Sequence, residues 1–190
     1  MVLTEPNGAV RIRPRLSTGR ALLYGTLVVG TLDALDAVVF FGLFAGAQPI
    51  RIFQSIAAGL IGRPAATAGG LRTALLGAAL HYFIAFGIVG TFFIAARYIR
   101  ILQRAPVVSG LLYGIAAYVV MNAVVVPLSA AGRGGLSWPP VVNAVLINGV
   151  LIHMFGVGLP ASLFACWARW GQISIFHRYN SEIQKRNDGK

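Results

Sequence analysis

Asp33-Ala34-Leu35-Asp36 places two carboxylates near the middle of an apolar run that extends from about residue 21 to residue 45. The chain has only five acidic residues in all. An ionised carboxylate in the core of a bilayer costs several kcal/mol, so such a residue usually faces the interior of a helix bundle and has a partner there. We therefore expect the rest of the sequence to supply both a bundle and a partner.

The composition indicates an integral membrane protein. Hydrophobic residues make up 57% of the 190 residues and charged residues 11%, and the mean hydropathy is +0.74, which is far from the balance of a soluble domain. The net charge of +11 comes from basic residues at the ends of apolar runs and not from a basic face with interleaved aromatics. This pattern argues against nucleic acid as a partner and leaves the lipid bilayer. The single cysteine excludes an intrachain disulfide.

Four apolar segments are long enough to cross a hydrocarbon core of about 30 Å as helices. They predict an all-α fold, a transmembrane four-helix bundle that occupies residues 19–170, with basic cytoplasmic tails at residues 1–18 and 171–190. Pro160 predicts a kink in the last helix because its ring removes one backbone hydrogen bond. The predicted spans are residues 19–44, 71–97, 106–130 and 141–168.

Residues 49–62 form a further apolar segment that is too short and too interrupted to cross the bilayer. Their hydrophobic residues recur at helical spacing, which predicts an amphipathic helix that is re-entrant or lies at the interface. Two interpretations stay open. The helix either only connects the first two spans, or it forms a lid over a polar site in the bundle, with Arg51 and Gln54 as the candidate lid side chains.

The basic residues predict the orientation of the chain. Four spans put both termini on one side of the membrane, and 12 of the 16 Lys and Arg residues lie on that side. By the positive-inside rule, the N- and C-termini are expected to be cytoplasmic. The segment 49–62 then lies on the outer side.

Six polar side chains fall at a similar depth once the direction of each span is set. At a rise of about 1.5 Å per residue, each lies roughly 7 to 12 residues from the outer end of its helix. Asp33 and Asp36 are three residues apart and so share one side of the first helix. Asn148 and His153 are turned about 140° from each other around the fourth helix, which weakens the prediction that Asn148 belongs to the same site. The candidate residues of an ion or proton site are Asp33, Asp36, His81, Asn122, Asn148 and His153.

Two carboxylates and two imidazoles allow several kinds of chemistry. Asp33, Asp36, His81 and His153 could be the ligands of a zinc or manganese-like ion, although their spacing matches no compact ligand motif. The same groups could relay protons, or they could only hold the helices together by hydrogen bonds. For the two asparagines this last role is favoured. A haem between the two histidines is a further alternative, but the sequence requires no cofactor.

Four segments of the chain carry a resemblance. They are Pro49-Ile50-Arg51-Ile52-Phe53-Gln54-Ser55-Ile56-Ala57-Ala58-Gly59, Leu80-His81-Tyr82-Phe83, Met121-Asn122 with Val126-Pro127-Leu128-Ser129, and Asn148-Gly149-Val150-Leu151-Ile152-His153-Met154. Together they resemble a group of small, uncharacterised bacterial inner-membrane proteins with four spans and no assigned activity. The resemblance implies a location in the bacterial inner (plasma) membrane.

The favoured function is that of a membrane protein with a polar intramembrane site, opening outward, that binds or conducts a proton or a small cation. The alternative is a structural or accessory subunit in which the polar residues only hold the bundle together, and a haem- or metal-binding protein ranks third. No nucleophile elbow, phosphate-binding glycine loop or Cys-x-x-Cys pattern occurs in the sequence, so an enzymatic role is not favoured. Further copies of the chain or a larger membrane complex stay open as partners.

Overall fold

The computed structural model of the protein describes residues 3–4, 10–11, 16–131 and 142–168. Two short strands near the N-terminus, β1 (Leu3–Thr4) and β2 (Val10–Arg11), pair antiparallel. Two π-helical segments, Met121–Val125 and His153–Gly158, interrupt the later helices. The α-helices of the described residues are α1 (Thr18–Ala45), α2 (Pro49–Ile61), α3 (Arg63–Ala68), α4 (Gly70–Tyr98), α5 (Ile101–Arg104), α6 (Pro106–Val120), α7 (Val126–Leu128) and α8 (Ala144–Ile152).

Four of the helical stretches are long and apolar enough to cross a membrane, which confirms the predicted all-α bundle. They are Thr18–Ala45, Gly70–Tyr98, Pro106–Leu128 and Ala144–Ala168, here called the first to fourth spans. The shorter apolar helix α2 lies between the first two, as predicted. The predicted tail at residues 171–190 lies outside the described residues, as does most of the tail at residues 1–18.

Local sequence signals explain where the first span begins and ends. The Ser17 hydroxyl accepts a hydrogen bond of 3.4 Å from the N–H of Arg20 and so caps the first turn. Gly46 ends the helix with a φ of 61°, a left-handed conformation that glycine adopts without steric cost. Pro49 then starts α2, where its missing N–H breaks no helical bond.

The outer surface of the bundle is apolar, as a lipid environment requires. Large hydrophobic side chains such as Leu43, Phe83 and Leu128 are 70% or more exposed, at 80%, 72% and 83%. The buried positions are occupied largely by small residues, including many alanines. Between helices that are all equally soluble in lipid, association depends on close packing, and small residues permit it.

The third and fourth spans meet through glycines. Gly114 packs against the His153 backbone, and a Cβ atom at Gly114 would lie 2.6 Å from the Cα of Met154. A Cβ atom at Gly110 would lie 2.8 Å from the Gly158 carbonyl oxygen. No side chain fits in either place, so the two backbones approach as closely as helices can. The contact at Gly114 thus fixes the position of the His153 backbone relative to the third span.

The π-helical segments of the third and fourth spans each end two residues before a proline. Pro127 follows Met121–Val125, and Pro160 follows His153–Gly158. A proline has no N–H to donate, and its ring collides with the carbonyl four residues earlier. A π-helical turn accommodates this conflict because its backbone bonds join residues five apart. Pro160, at which the sequence predicts a kink, is thus preceded by a π-helical turn.

The amphipathic helix α2 packs against the second span at one end of the bundle. Its Phe53 carbonyl packs against Gly77 of the second span. The Gly59 carbonyl accepts a hydrogen bond of 2.8 Å from the N–H of Ala130, just beyond the third span. The helix thus links the second span to the end of the third. We call this end of the bundle the α2 end, and the opposite end, where the first span begins, the terminal end.

An apolar plug fills the bundle from its middle toward the terminal end. The phenyl ring of Phe92 meets the ring of Tyr113 edge-on, with centroids 5.0 Å apart, and the Tyr113 hydroxyl donates a hydrogen bond of 2.6 Å to the Ile88 carbonyl. These contacts join the second span to the third. The plug consists of Val29, Ala85, Val89, Phe92, Ala96, Val157, Ala161 and Ala165.

Candidate functional site

A cavity of about 360 Å³ lies inside the bundle between the plug and the α2 end. We call it the cup. All four spans and α2 contribute residues to its lining. The six polar residues predicted from their depth all line it: Asp33, Asp36, His81, Asn122, Asn148 and His153.

The two carboxylates of the first span have different partners. The Asp33 carboxylate faces His81 of the second span, with 4.0 Å between Oδ2 and Nδ1. The Asp36 carboxylate faces the fourth span instead, where its Oδ2 accepts a hydrogen bond of 2.7 Å from Nδ2 of Asn148. Asn148 is the one polar partner of Asp36 among the described residues. The first span therefore supplies one carboxylate with an imidazole counterpart and one without.

His81 is held in one orientation by the main chain of the first span. It is 9% exposed, and its Nε2 lies 2.7 Å from the Gly30 carbonyl oxygen. A carbonyl oxygen only accepts hydrogen bonds, so Nε2 carries a hydrogen. In a neutral His81 the lone pair is then on Nδ1, which is the atom that faces Asp33. The imidazole is thus fixed in both orientation and tautomer.

His153 is fixed in the opposite tautomer. Its Nδ1 lies 2.9 Å from the Gly149 carbonyl oxygen and so carries the hydrogen, which leaves Nε2 as the acceptor of a neutral ring. The ring meets Tyr118 of the third span edge-on, with centroids 5.3 Å apart. Both histidines that line the cup therefore have one nitrogen held by a backbone carbonyl and the other available for chemistry.

The fourth span presents a broad stripe to the cup. Val145, Asn148, Gly149, Ile152 and His153 all line it, and their spacing of three and four residues is that of one wide helix face. Asn148 and His153 lie at opposite edges of this face. The rotation of about 140° between them does not keep either residue out of the cavity.

Tyr118 is a cup residue that the sequence analysis missed. It is 9% exposed, lines the cavity and packs between the His153 ring and Gly149. Its backbone carbonyl accepts a hydrogen bond of 3.0 Å from Nδ2 of Asn122. Tyr118 lies four residues before Asn122, so the two share a helix face, and this spacing is the signal that could have identified it.

The lid side chains predicted on α2 point elsewhere. Nη1 of Arg51 donates a hydrogen bond of 3.1 Å to Oε1 of Gln54, and Nε2 of Gln54 donates one of 2.9 Å to the Gly70 carbonyl. Gln54 therefore holds α2 to the start of the second span, and Arg51 bonds to Gln54 within α2. Neither residue is among the described residues that line the cup. In their place α2 contributes Ile56. The helix covers the cup with an apolar side chain.

The floor of the cup belongs to the plug. Val29, Ala85 and Val157 line the cavity and are also part of the plug, and each is at most 4% exposed. In this conformation the cup has an apolar floor on the terminal side.

The polar groups of the cup are spread over its walls. Among residues 16–131 and 142–168, no group of three or more His, Cys, Asp or Glu side chains is arranged to hold a metal ion.

No model of a protein family, no curated protein and no solved structure matches the chain.

Proposed function

We propose that this integral membrane protein binds a proton or a small cation in the cup. The observation that carries the proposal is the pairing of Asp33 with His81. Because Nε2–H of His81 is held by Gly30, a neutral ring presents a lone pair across 4.0 Å to the Asp33 carboxylate. Two facing lone pairs are stabilised when a proton, a cation or a bridging water lies between them.

The charge of the cup favours a proton or a cation over water alone. Asp33 and Asp36 are three residues apart on one helix face, where two ionised carboxylates repel each other. No Lys or Arg is among the described residues that line the cup, so positive charge comes only from a protonated histidine or from outside. In a low-dielectric site such a charge is strongly stabilised by an opposite one.

The position of the plug favours binding over conduction in this conformation. A proton or a cation that enters from the α2 end meets the apolar floor formed by Val29, Ala85 and Val157. Transfer across this floor would require the plug to open. We therefore propose a site that exchanges with one side of the membrane.

A structural role is the second candidate, and the bonds between spans favour it. The Asn148 amide joins the fourth span to the first at Asp36, and the His81 ring joins the second span to the first at Gly30. Bonds of this kind contribute about 0.6 kcal/mol on average in membrane proteins. On this view the carboxylates need no partner from outside the protein.

Infrared difference spectroscopy on the reconstituted protein separates the two candidates. When the external pH is lowered, we expect the wild type to show the C=O stretch of a carboxyl group that gains a proton. We expect Asp33→Asn to remove this band while the folded yield stays that of the wild type. The titratable groups that line the cup are Asp33, Asp36, His81, His153 and Tyr118.

Two variants make this assignment specific. Thr31→Val, also on the first span, removes a hydrogen bond of 3.0 Å to the Tyr82 hydroxyl of the second span and should leave the band unchanged. Asp36→Asn shows whether the Asp36 carboxyl also contributes to the C=O band. If Asp33→Asn and Asp36→Asn leave the carboxyl bands of the wild type unchanged, and Asp33→Asn also loses folded yield, the structural role holds instead.

We further propose that the α2 end faces outward, in the inner membrane of a bacterium. The excess of Lys and Arg on the side of the termini and the resemblance described above support this orientation. In a Cys166→Ser background, we expect a cysteine at the exposed position Ser55 of α2 to react with an impermeant maleimide in intact cells of a bacterial host. A cysteine at the exposed Arg100, between the second and third spans, should react only after lysis. The reverse pattern would mean the opposite orientation.

A further inference from the structure

The Asp36 side of the cup lacks a positive partner. The structure gives Asp36 one polar contact among the described residues, the neutral amide of Asn148. This amide donates to Oδ2 and so orients the carboxylate without compensating its charge. An ionised carboxylate in a membrane span is costly unless a cation compensates it. The missing charge is therefore expected to come from a ligand.

The size of the cup identifies the class of ligand. A bare metal ion needs several ligands at close range, and the described residues contain no such group. A volume of about 360 Å³ corresponds to about a dozen atoms when each takes about 30 Å³, as a water molecule does in the liquid. The cup is therefore large enough for a small organic molecule.

The walls of the cup suit an apolar body with one charged group. Besides the carboxylates, the lining includes Phe41, Ile56, Met121 and Tyr118. Aromatic faces attract organic cations, and a methionine side chain adapts to irregular shapes. Ala37, next to Asp36, also lines the cavity and leaves space beside the carboxylate.

We infer that the cup binds a compact organic monocation, with its charged nitrogen at Asp36 and its apolar body between Phe41, Met121 and Tyr118. This inference rests on the proposed function and names the class of cation. Asp33 and His81 form a second charged pair in the same cavity. Asp36 thus binds the ligand, while Asp33 exchanges protons.

The test uses phenyltrimethylammonium and the purified full-length protein in detergent micelles, with binding measured by isothermal titration calorimetry. This probe has about ten non-hydrogen atoms and fits the cup at about 30 Å³ per atom. We expect saturable binding that Asp36→Asn weakens at least about 30-fold, because the variant removes a desolvated charge pair. Benzenesulfonate, which has the same ring and the opposite charge, should not bind.

A second pair of variants tests the volume of the cup independently of its charge. Ala37→Leu fills the space beside Asp36 and should abolish binding, while Thr31→Val, outside the cup on the same span, should leave it unchanged. If Ala37→Leu does not fold, Ala37→Val should weaken binding by a smaller factor. Binding that survives both Asp36→Asn and the filled cup would overturn the inference.

The infrared band of Asp33 distinguishes the binding of an organic cation from the binding of a proton. Ala37→Leu should retain this band, because a proton needs no space beside Asp36. If phenyltrimethylammonium does not bind but the band is present, the organic cation is rejected and the proton site stands. If the wild type shows neither binding nor the band, both the inference and the proposed function fail.

Discussion

Asp36→Asn is expected to make the ligand-free protein more stable than the wild type, by about 1–2 kcal/mol at neutral pH. An Asp near the centre of a span costs about 2.5–3.5 kcal/mol on insertion scales, and part of this cost should be relieved when the charge is removed. The amide oxygen of the new residue can still accept the hydrogen bond that Asn148 now donates to Asp36. The substitution therefore isolates the charge from the hydrogen bond.

The direction of this effect distinguishes a binding site from a structural contact. Most substitutions of partly buried residues destabilise a protein, so a gain would mean that Asp36 is retained for a purpose other than stability. Unfolding by sodium dodecyl sulfate in mixed micelles, followed by circular dichroism, measures the difference. A loss of stability in Asp36→Asn would contradict the prediction and favour the structural role.

Asp33→Asn is the matched control for this experiment. It makes the same exchange three residues earlier on the same face of the first span, but at a carboxylate that has His81 4.0 Å away. Removing this carboxylate also removes the partner of the imidazole, so no gain in stability is expected. The difference between Asp36→Asn and the wild type should also narrow as phenyltrimethylammonium is added, because a bound cation stabilises only the wild type.

The depth of the polar layer could be predicted from the sequence because two constraints act together. The length of each apolar segment sets the limits of a span, and the cost of burying charge leaves few positions for a polar side chain in it. Asp33, His81, Asn122 and His153 could thus be placed at one level without knowledge of any contact. All of them line the same cavity.

The pairing of side chains within that layer could not be predicted. Whether Asp36 meets Asn148 or a histidine depends on the rotation of each span about its axis. That rotation follows from close contacts such as Gly114 against His153, and from the π-helical turns before the prolines. Hydropathy contains no information about either feature. A helical wheel would still have placed Tyr118 next to Asn122.

The orientation of Gln54 depended on a contact between distant parts of the chain. The amphipathic pattern correctly predicted α2, but the partner of the Gln54 amide is the carbonyl of Gly70, sixteen residues away. Gly70 has a φ of 58° and starts the second span. Its carbonyl becomes available only through the geometry of the turn before that span. Periodicity within α2 does not reveal this partner.

Phe92→Ala should cause the largest loss of stability, because it opens a void in the plug. Phe92 is 1% exposed, and its ring packs against Tyr113. In the core of a soluble protein, such a substitution lowers the free energy of unfolding by about 3–5 kcal/mol. One part of this loss is the free energy of transferring the side chain out of water, and the other part comes from the cavity that is left behind. Lipid is as apolar as the plug, so the transfer part is small and the packing part remains. We expect a loss of about 2–3 kcal/mol in detergent unfolding.

Phe83→Ala provides the control on the same span. Phe83 is 72% exposed on the outer surface, so lipid or detergent can fill the space that its ring vacates. Its removal should change the free energy of unfolding by no more than about 0.5 kcal/mol. Equal losses in the two variants would mean that the plug is not the packed core of the bundle. The floor of the cup is part of the same plug, so a larger loss at Phe92 would also support a well-packed floor on the terminal side.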